Sequence, residues 1–199
     1  MHETLVVVDF GSQVTQLISR RIRELGVYAE IVPCTKASAR IEALASTRQL
    51  KGIVLSGGPS SIYDDGAPRM PDGVLTAGVP VLGICYGLYV LVDTLGGKVA
   101  KADEREYGAA TIRVHESFGP TSPFPVESDE PVWMSHGDRV HALPKGFRTV
   151  AGSKNCEHAA IVDPERRVWG VQFHPEVSHT PQGSAILSAF LELCGFARD

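Results

Sequence analysis

One pattern recurs through the first half of the chain. A short apolar run rich in β-branched residues breaks off at glycine or another turn residue, and a stretch with apolar side chains at helical spacing follows. LVVVDFG at 5–11 leads into TQLISRRIRELG at 15–26, and AEIVPC at 29–34 leads into ARIEALASTRQL at 39–50. KGIVLSGGP at 51–59 and GVPVLGICYG at 78–87 repeat the strand half of the pattern. Strands that are apolar on both faces leave neither face to water, so helices must cover both. The expected fold is α/β: a doubly wound, mostly parallel sheet with helices on both faces and right-handed crossovers. In such sheets ligands and chemistry gather at the carboxyl ends of the strands, which here carry SGGP and GICYG.

From about residue 108 the texture changes. GAATIRV, PVWMSHGD, FRTVAGS, HAAIVD and RVWGVQFH are short alternating segments broken by turns, which predict an additional antiparallel strand region in the C-terminal half, set on one edge or end of the sheet. GSAILSAFLELCGF predicts a closing amphipathic helix with Cys194 on or near its apolar stripe. With 199 residues and 43% hydrophobic content the chain can bury one good core, so one domain over 1–199 is expected.

Charge narrows the partners. The net charge is −4 and the 21% of charged residues are interspersed, so no basic face points to nucleic acid and no polybasic tail to a membrane. MHETLVVVDFG lacks a positively charged leader followed by a long apolar stretch, and a cytoplasmic protein is expected. The four cysteines (Cys34, Cys85, Cys156 and Cys194) are scattered without CxxC spacing and read as reduced thiols.

Cys85 needs a separate account. In GICYG it sits at the apex of a tight strand-to-helix turn flanked by small residues, where a nucleophile projects from the top of a sheet and a helix N-terminus favours its thiolate. A buried cysteine packed as a small hydrophobe is the competing reading. A reactive thiol needs a base and a group to orient that base. Of seven histidines, His174 stands out in VWGVQFHPE, at the end of an apolar run with Glu176 two residues on, an arrangement that suits a nucleophile, base and orienter set. A strand-end histidine capping a loop would look the same. HPE supplies at most two ligands at zinc spacing, so no metal is expected. Gly57 and Gly58 of LSGGPSS could turn a backbone amide toward an oxyanion, though an ordinary turn competes, and the lysine of a Walker phosphate loop is missing.

Taken together, SGGP at 56–59, GICYG at 83–87 and QFHPE at 172–176 resemble the class I, triad-type glutamine amidotransferases, whose fold is flavodoxin-like. DFGSQVTQLISRRIRELGVYAEIVP, SGGPSSIYDD, REYGAA, VWMSHGDRV and FHPEVSHTPQG extend the resemblance toward the glutaminase components of GMP synthetases. The resemblance implies glutamine as substrate, Cys85 as nucleophile, His174 as acid and base, and Glu176 as orienter. It implies an oxyanion hole from the amides of Gly58 and Tyr86, and substrate contacts at Gly57, Gly58, Tyr89, Ser135 and His136. It places Asp138 and Arg139 at a partner interface. The implied partner is an ATP pyrophosphatase portion, in cis or in trans, which converts XMP to GMP. The resemblance implies no cofactor for this chain, with ATP and magnesium belonging to the synthetase portion, which this sequence is expected to lack. One departure stands out: family members usually carry glutamine four residues after the nucleophile, and here that position is Tyr89. A bulkier side chain there implies an altered grip on glutamine and slow hydrolysis by the chain alone.

Overall fold

The computed structural model describes residues 2–196. In chain order the elements are β1 (Thr4–Asp9), α1 (Thr15–Glu24), β2 (Ala29–Pro33), α2 (Cys34–Ser46), β3 (Leu50–Leu55), β4 (Val81–Ile84), α3 (Tyr86–Thr94), β5 (Lys98–Val114), β6 (Asp129–Ala142), β7 (Arg148–Gly152), β8 (Ala160–Asp163), β9 (Val168–Val171) and α4 (Gly183–Leu193). The nine strands form one sheet in the order β2-β1-β3-β4-β9-β8-β7-β5-β6. The run from β2 to β9 is parallel, and the remaining pairs are antiparallel.

Alternation along each strand sends side chains to two separate cores. Leu5 and Val7 of β1 meet Ile18 and Ile22 of α1 and Ile186 and Phe190 of α4 on one face. Val6 and Val8 meet Ile41 and Leu44 of α2 and Leu88 and Leu91 of α3 on the other. Both faces of the central strands are thus covered, as their unbroken apolar runs demand. Among the described residues, no helix is long and apolar enough to cross a membrane.

Three expectations need correction. RVWGVQFH is not part of an added antiparallel edge: β9 pairs parallel with β4 and antiparallel with β8, so it is the hinge between the two halves of the sheet. Its four residues are all buried, the mark of a central strand rather than an edge. Helix α2 runs over Cys34–Ser46 rather than 39–50, entered directly from Pro33, whose φ of −55° suits a helix start. Strand β5 begins at Lys98, well before Gly108. Most of its length pairs only with β6, in a ribbon half open to water, which is why its polar N-terminal portion lacks an apolar signal. That ribbon bends over α3 and brings Ser135–Asp138 toward the carboxyl end of β4.

Candidate active site

Cys85 occupies the single residue between β4 and α3, with φ 52° and ψ −107°, a conformation that side chains other than glycine rarely adopt. Such strain costs about 1–3 kcal/mol and persists only where its surroundings hold it. The Cys85 N–H donates to the Val171 carbonyl at 2.9 Å and the Gly87 N–H to the Ser56 carbonyl at 3.0 Å. The flanking glycines permit the approach: a Cβ on Gly87 would lie 2.3 Å from the Leu55 carbonyl oxygen, and one on Gly83 would lie 2.5 Å from a Leu91 methyl carbon. The thiol therefore rides at the N-terminus of α3, where the helix dipole favours negative charge.

His174 follows β9 and is stitched to the ribbon. Its N–H donates to the Trp133 carbonyl at 3.0 Å. Thr180 Oγ1 donates to the His174 carbonyl at 2.7 Å and accepts the Trp133 N–H at 3.0 Å. Nδ1 of the ring meets Glu176 Oε1 at 2.7 Å. Glu176 is wholly buried, its Oε2 has no partner among the described residues, and Arg21 Nε donates to its backbone carbonyl at 3.2 Å. A carboxylate sealed from water with the imidazole as its side-chain partner strongly favours a charged ring. Burial pushes the His174 ring toward neutrality, but hydrogen bonds to Cys85 and Glu176, and the charges on both, outweigh it and lift the pKa to about 10. With Nδ1 committed to Glu176, Nε2 is left for Cys85. By contrast, burial pushes the thiols of Cys156 and Cys194 up to about 12, which leaves them inert.

The SGGP turn lies against both partners. A Cβ on Gly57 would sit 3.4 Å from His174 Cε1 and 3.8 Å from Cys85 Cβ, and one on Gly58 would sit 3.3 Å from Tyr86 Cδ1. Ser56 anchors the turn, accepting the Phe10 N–H at 3.1 Å and donating to the Gly57 carbonyl at 2.9 Å. Tyr86 opens α3, so its N–H has no acceptor within the helix. Two cavities meet at the thiol. One, of about 670 Å³, is lined by Gly58, Tyr86, Tyr89, Ser135 and His136 beside Cys85. The other, of about 410 Å³, is lined by Ser12, Trp133, His174 and Val177 beside Cys85.

A buried thiol on a strained elbow, an imidazole held by a carboxylate, and a glycine turn beside both are the parts an acyl-transfer site requires. The sequence matches the family described as Glutamine amidotransferase class-I over residues 6–194. The chain is a class I glutamine amidotransferase. Similar proteins include the GMP synthase [glutamine-hydrolyzing] of Debaryomyces hansenii, 47% identical over 96% of this chain and 35% of that protein. That of Rhizobium rhizogenes is 49% identical over 95% of this chain and 36% of that protein. This amidotransferase thus spans little more than a third of the length of such relatives. A solved structure from Thermoplasma acidophilum, described as that of a GMP synthase subunit, superposes with a TM-score of 0.80 at 32% identity, covering 98% of this chain and 95% of that one. A glutamine amidotransferase structure from Thermotoga maritima has a TM-score of 0.75 at 17% identity and shares the fold.

The other residues singled out in the sequence sit around the amidotransferase site as follows. Both ring nitrogens of His136 are engaged inside the protein, Nδ1 with the Asp138 carbonyl at 2.7 Å and Nε2 with Glu106 at 3.0 Å, so its ring is not free to grip a ligand. The Asp138 carboxylate accepts from Ser61 Oγ at 2.7 Å, while Arg139, next along the strand and on its other face, pairs with the exposed Asp103. Tyr89 is buried and donates its hydroxyl to the Asp138 carbonyl. Burial, and then the charge of Cys85, push that phenol well above its usual range, so it stays protonated. The sequence reading missed Glu106, Thr180 and Gln172. Glu106 and Thr180 lie in stretches whose motif signal belongs to their neighbours, and their roles depend on pairing across the ribbon. Gln172 stands two residues before His174 and gave a signal only as part of QFHPE.

Proposed function

We propose that this chain is the glutaminase component of a GMP synthase, hydrolysing glutamine to glutamate and ammonia and passing the ammonia to an ATP pyrophosphatase portion that aminates XMP to GMP. The observation that carries the reading is the alignment of Glu176 Oε1 on His174 Nδ1 at 2.7 Å, with Cys85 as the ring's other partner. The Cys85 thiolate attacks the side-chain amide carbon. The C–N bond breaks as the His174 imidazolium gives its proton to the departing nitrogen, leaving ammonia and a γ-glutamyl thioester. Water then attacks the thioester, its proton passes to His174, and the sulfur leaves as thiolate with glutamate released. The amides of Gly58 and Tyr86 hold the oxyanion, each donor supplying about 3 kcal/mol.

The amino-acid end of glutamine occupies the larger cavity, against Gly58, Tyr89 and the backbone of Ser135 and His136, with Gly57 next to Gly58 at its edge. His174 lines the smaller cavity, where the ammonia leaves. Arg139, with a third of its side chain exposed, is the outward-facing member of the proposed interface pair, whereas Asp138 is largely buried. Residues 1–199 act as one glutaminase unit whose partner is supplied in cis or in trans, and the work of the assembled enzyme is cytoplasmic nucleotide synthesis.

The test is covalent. A diazo-ketone analogue of glutamine should alkylate Cys85 in the native chain and leave Cys85→Ser unlabelled, read by peptide mass spectrometry, and ammonia release from glutamine should be lost in the same variant. An unlabelled Cys85 would sink the reading. Tyr89 narrows the larger cavity, so Tyr89→Gln should lower the KM for glutamine several-fold, measured by saturation kinetics of ammonia release. An unchanged or higher KM would remove Tyr89 as the cause of weak binding.

A further inference from the structure

Gln172 directly follows strand β9 with its side chain wholly buried, and the mechanism above does not use it. Its Nε2 donates to Cys85 Sγ at 3.9 Å, while its Oε1 has no partner among the described residues. A buried amide oxygen without a partner is costly, so the orientation needs a cause. The sulfur supplies it: a thiolate accepts an N–H and repels a carbonyl lone pair, and turning the amide over would set Oε1 against it. Ser135 acts in the opposite sense. Its carbonyl oxygen lies 3.6 Å from Sγ and accepts the proton of the neutral thiol. The sulfur is thus held between one acceptor that suits the thiol and donors that suit the thiolate.

Resting on the glutaminase reading, we propose that Gln172 is a third contact on the reacting sulfur: its buried amide N–H donates to the Cys85 thiolate and holds it, charged and aimed, between turnovers. Its backbone fixes the geometry, since the Gln172 N–H donates to the Ala159 carbonyl at 2.8 Å as β9 runs out beside β8. The amide nitrogen carries two N–H donors, so it can serve the Tyr89 phenol as well as the sulfur. The titratable groups around the sulfur are His174, with Glu176 behind it, beyond the end of β9, Tyr89 on α3 and Cys156, and, around the larger cavity, Tyr63 and Asp64 after the SGGP turn, Tyr86 on α3, Lys101, Arg105 and Tyr107 on β5, and His136 and Asp138 on β6.

The test reads the thiolate directly. The second-order rate of alkylation of Cys85 by iodoacetamide is followed against pH without glutamine, with labelling at Cys85 verified by peptide mass spectrometry. Gln172→Leu, which removes the donor, should shift the midpoint upward and slow alkylation about tenfold at pH values below the wild-type midpoint. Gln172→Glu, which replaces the donor with an anion, should shift it further. Gln172→Met, unbranched and pliable, repeats the measurement if the leucine variant fails to fold, and circular dichroism checks that each variant keeps its structure. A folded Leu or Met variant with the wild-type midpoint would overturn the proposal, because a merely space-filling glutamine would leave the profile where it was. Failure of the glutaminase reading looks different: the native chain would not react with the diazo-ketone glutamine analogue, whatever its response to iodoacetamide.

Discussion

His174→Ala is expected to stop glutamine hydrolysis and to destabilise the fold in the same stroke. Removing the residue proposed above as both acid and base should lower turnover by at least about 10³-fold, measured as ammonia release at saturating glutamine. The stability loss has a separate origin. Glu176 is wholly buried, His174 is its side-chain partner, and its second oxygen has no partner among the described residues. Deleting the imidazole therefore strands a carboxylate away from water, which costs about 3–5 kcal/mol where the charge cannot escape. Denaturant unfolding should show that loss. The double variant His174→Ala with Glu176→Gln should recover much of the stability and none of the activity. If the single variant is as stable as the native chain, the carboxylate is not the buried charge described above. The wild-type protein carries the same information in its pH dependence. The folded ring holds its proton to about 10, against 6.5 when unperturbed, so the folded state binds the extra proton between those values. The contribution to stability is complete below 6.5 and is lost as the pH rises through about 10. The melting temperature should therefore fall across the alkaline range more steeply in the native chain than in the double variant.

The fold was legible where one strand's own residues dictate its environment. LVVVD and KGIVL are apolar on both faces because helices cover both, and any chain with such runs between helical segments must build a parallel sheet. The place of β9 was not legible in the same way. VWGV is short and continuous, and nothing within it says that its neighbours are β4 on one side and β8 on the other, since pairing is settled by contacts far along the chain. The ribbon of β5 and β6 was harder still, because its polar residues pair across to one another and expose one face. The site divides along the same line. Cys85 declares itself through the glycines that its elbow requires, and Glu176 lies two residues from His174. Glu106 engages the His136 ring across the ribbon register, and Thr180 reaches Trp133 from a loop, so both depend on tertiary placement that no local pattern encodes. The ring of His136 illustrates the limit: nothing in its motif says that packing engages both of its nitrogens inside the protein.

Gly87→Ala is expected to be a severely damaging single-methyl change at the elbow that carries Cys85. The added Cβ would lie 2.3 Å from the Leu55 carbonyl oxygen and 2.7 Å from its carbonyl carbon. Leu55 is wholly buried at the end of β3, paired in register with β1 and β4, so its backbone has no room to retreat. Overpacking a core costs about 1–3 kcal/mol where side chains can shift, and here backbone meets backbone, so a loss at or above the top of that range is expected. The strain falls on the elbow. Relief requires α3 to lift from the sheet, which breaks the Gly87 N–H bond to Ser56 and carries Cys85 and the Tyr86 amide away from His174 and Gly58. Thermal melting should drop by many degrees, and any folded fraction should fail to hydrolyse glutamine. Gly57→Ala is the contrasting case. Its Cβ would make contacts no closer than 3.4 Å, so stability should hold to within about 1 kcal/mol. Because that methyl would face His174 and Cys85, activity should still fall, which separates a glycine kept for packing from one kept for chemistry. If Gly87→Ala folds and hydrolyses glutamine like the native chain, the close approach of α3 to β3 does not hold the nucleophile in place.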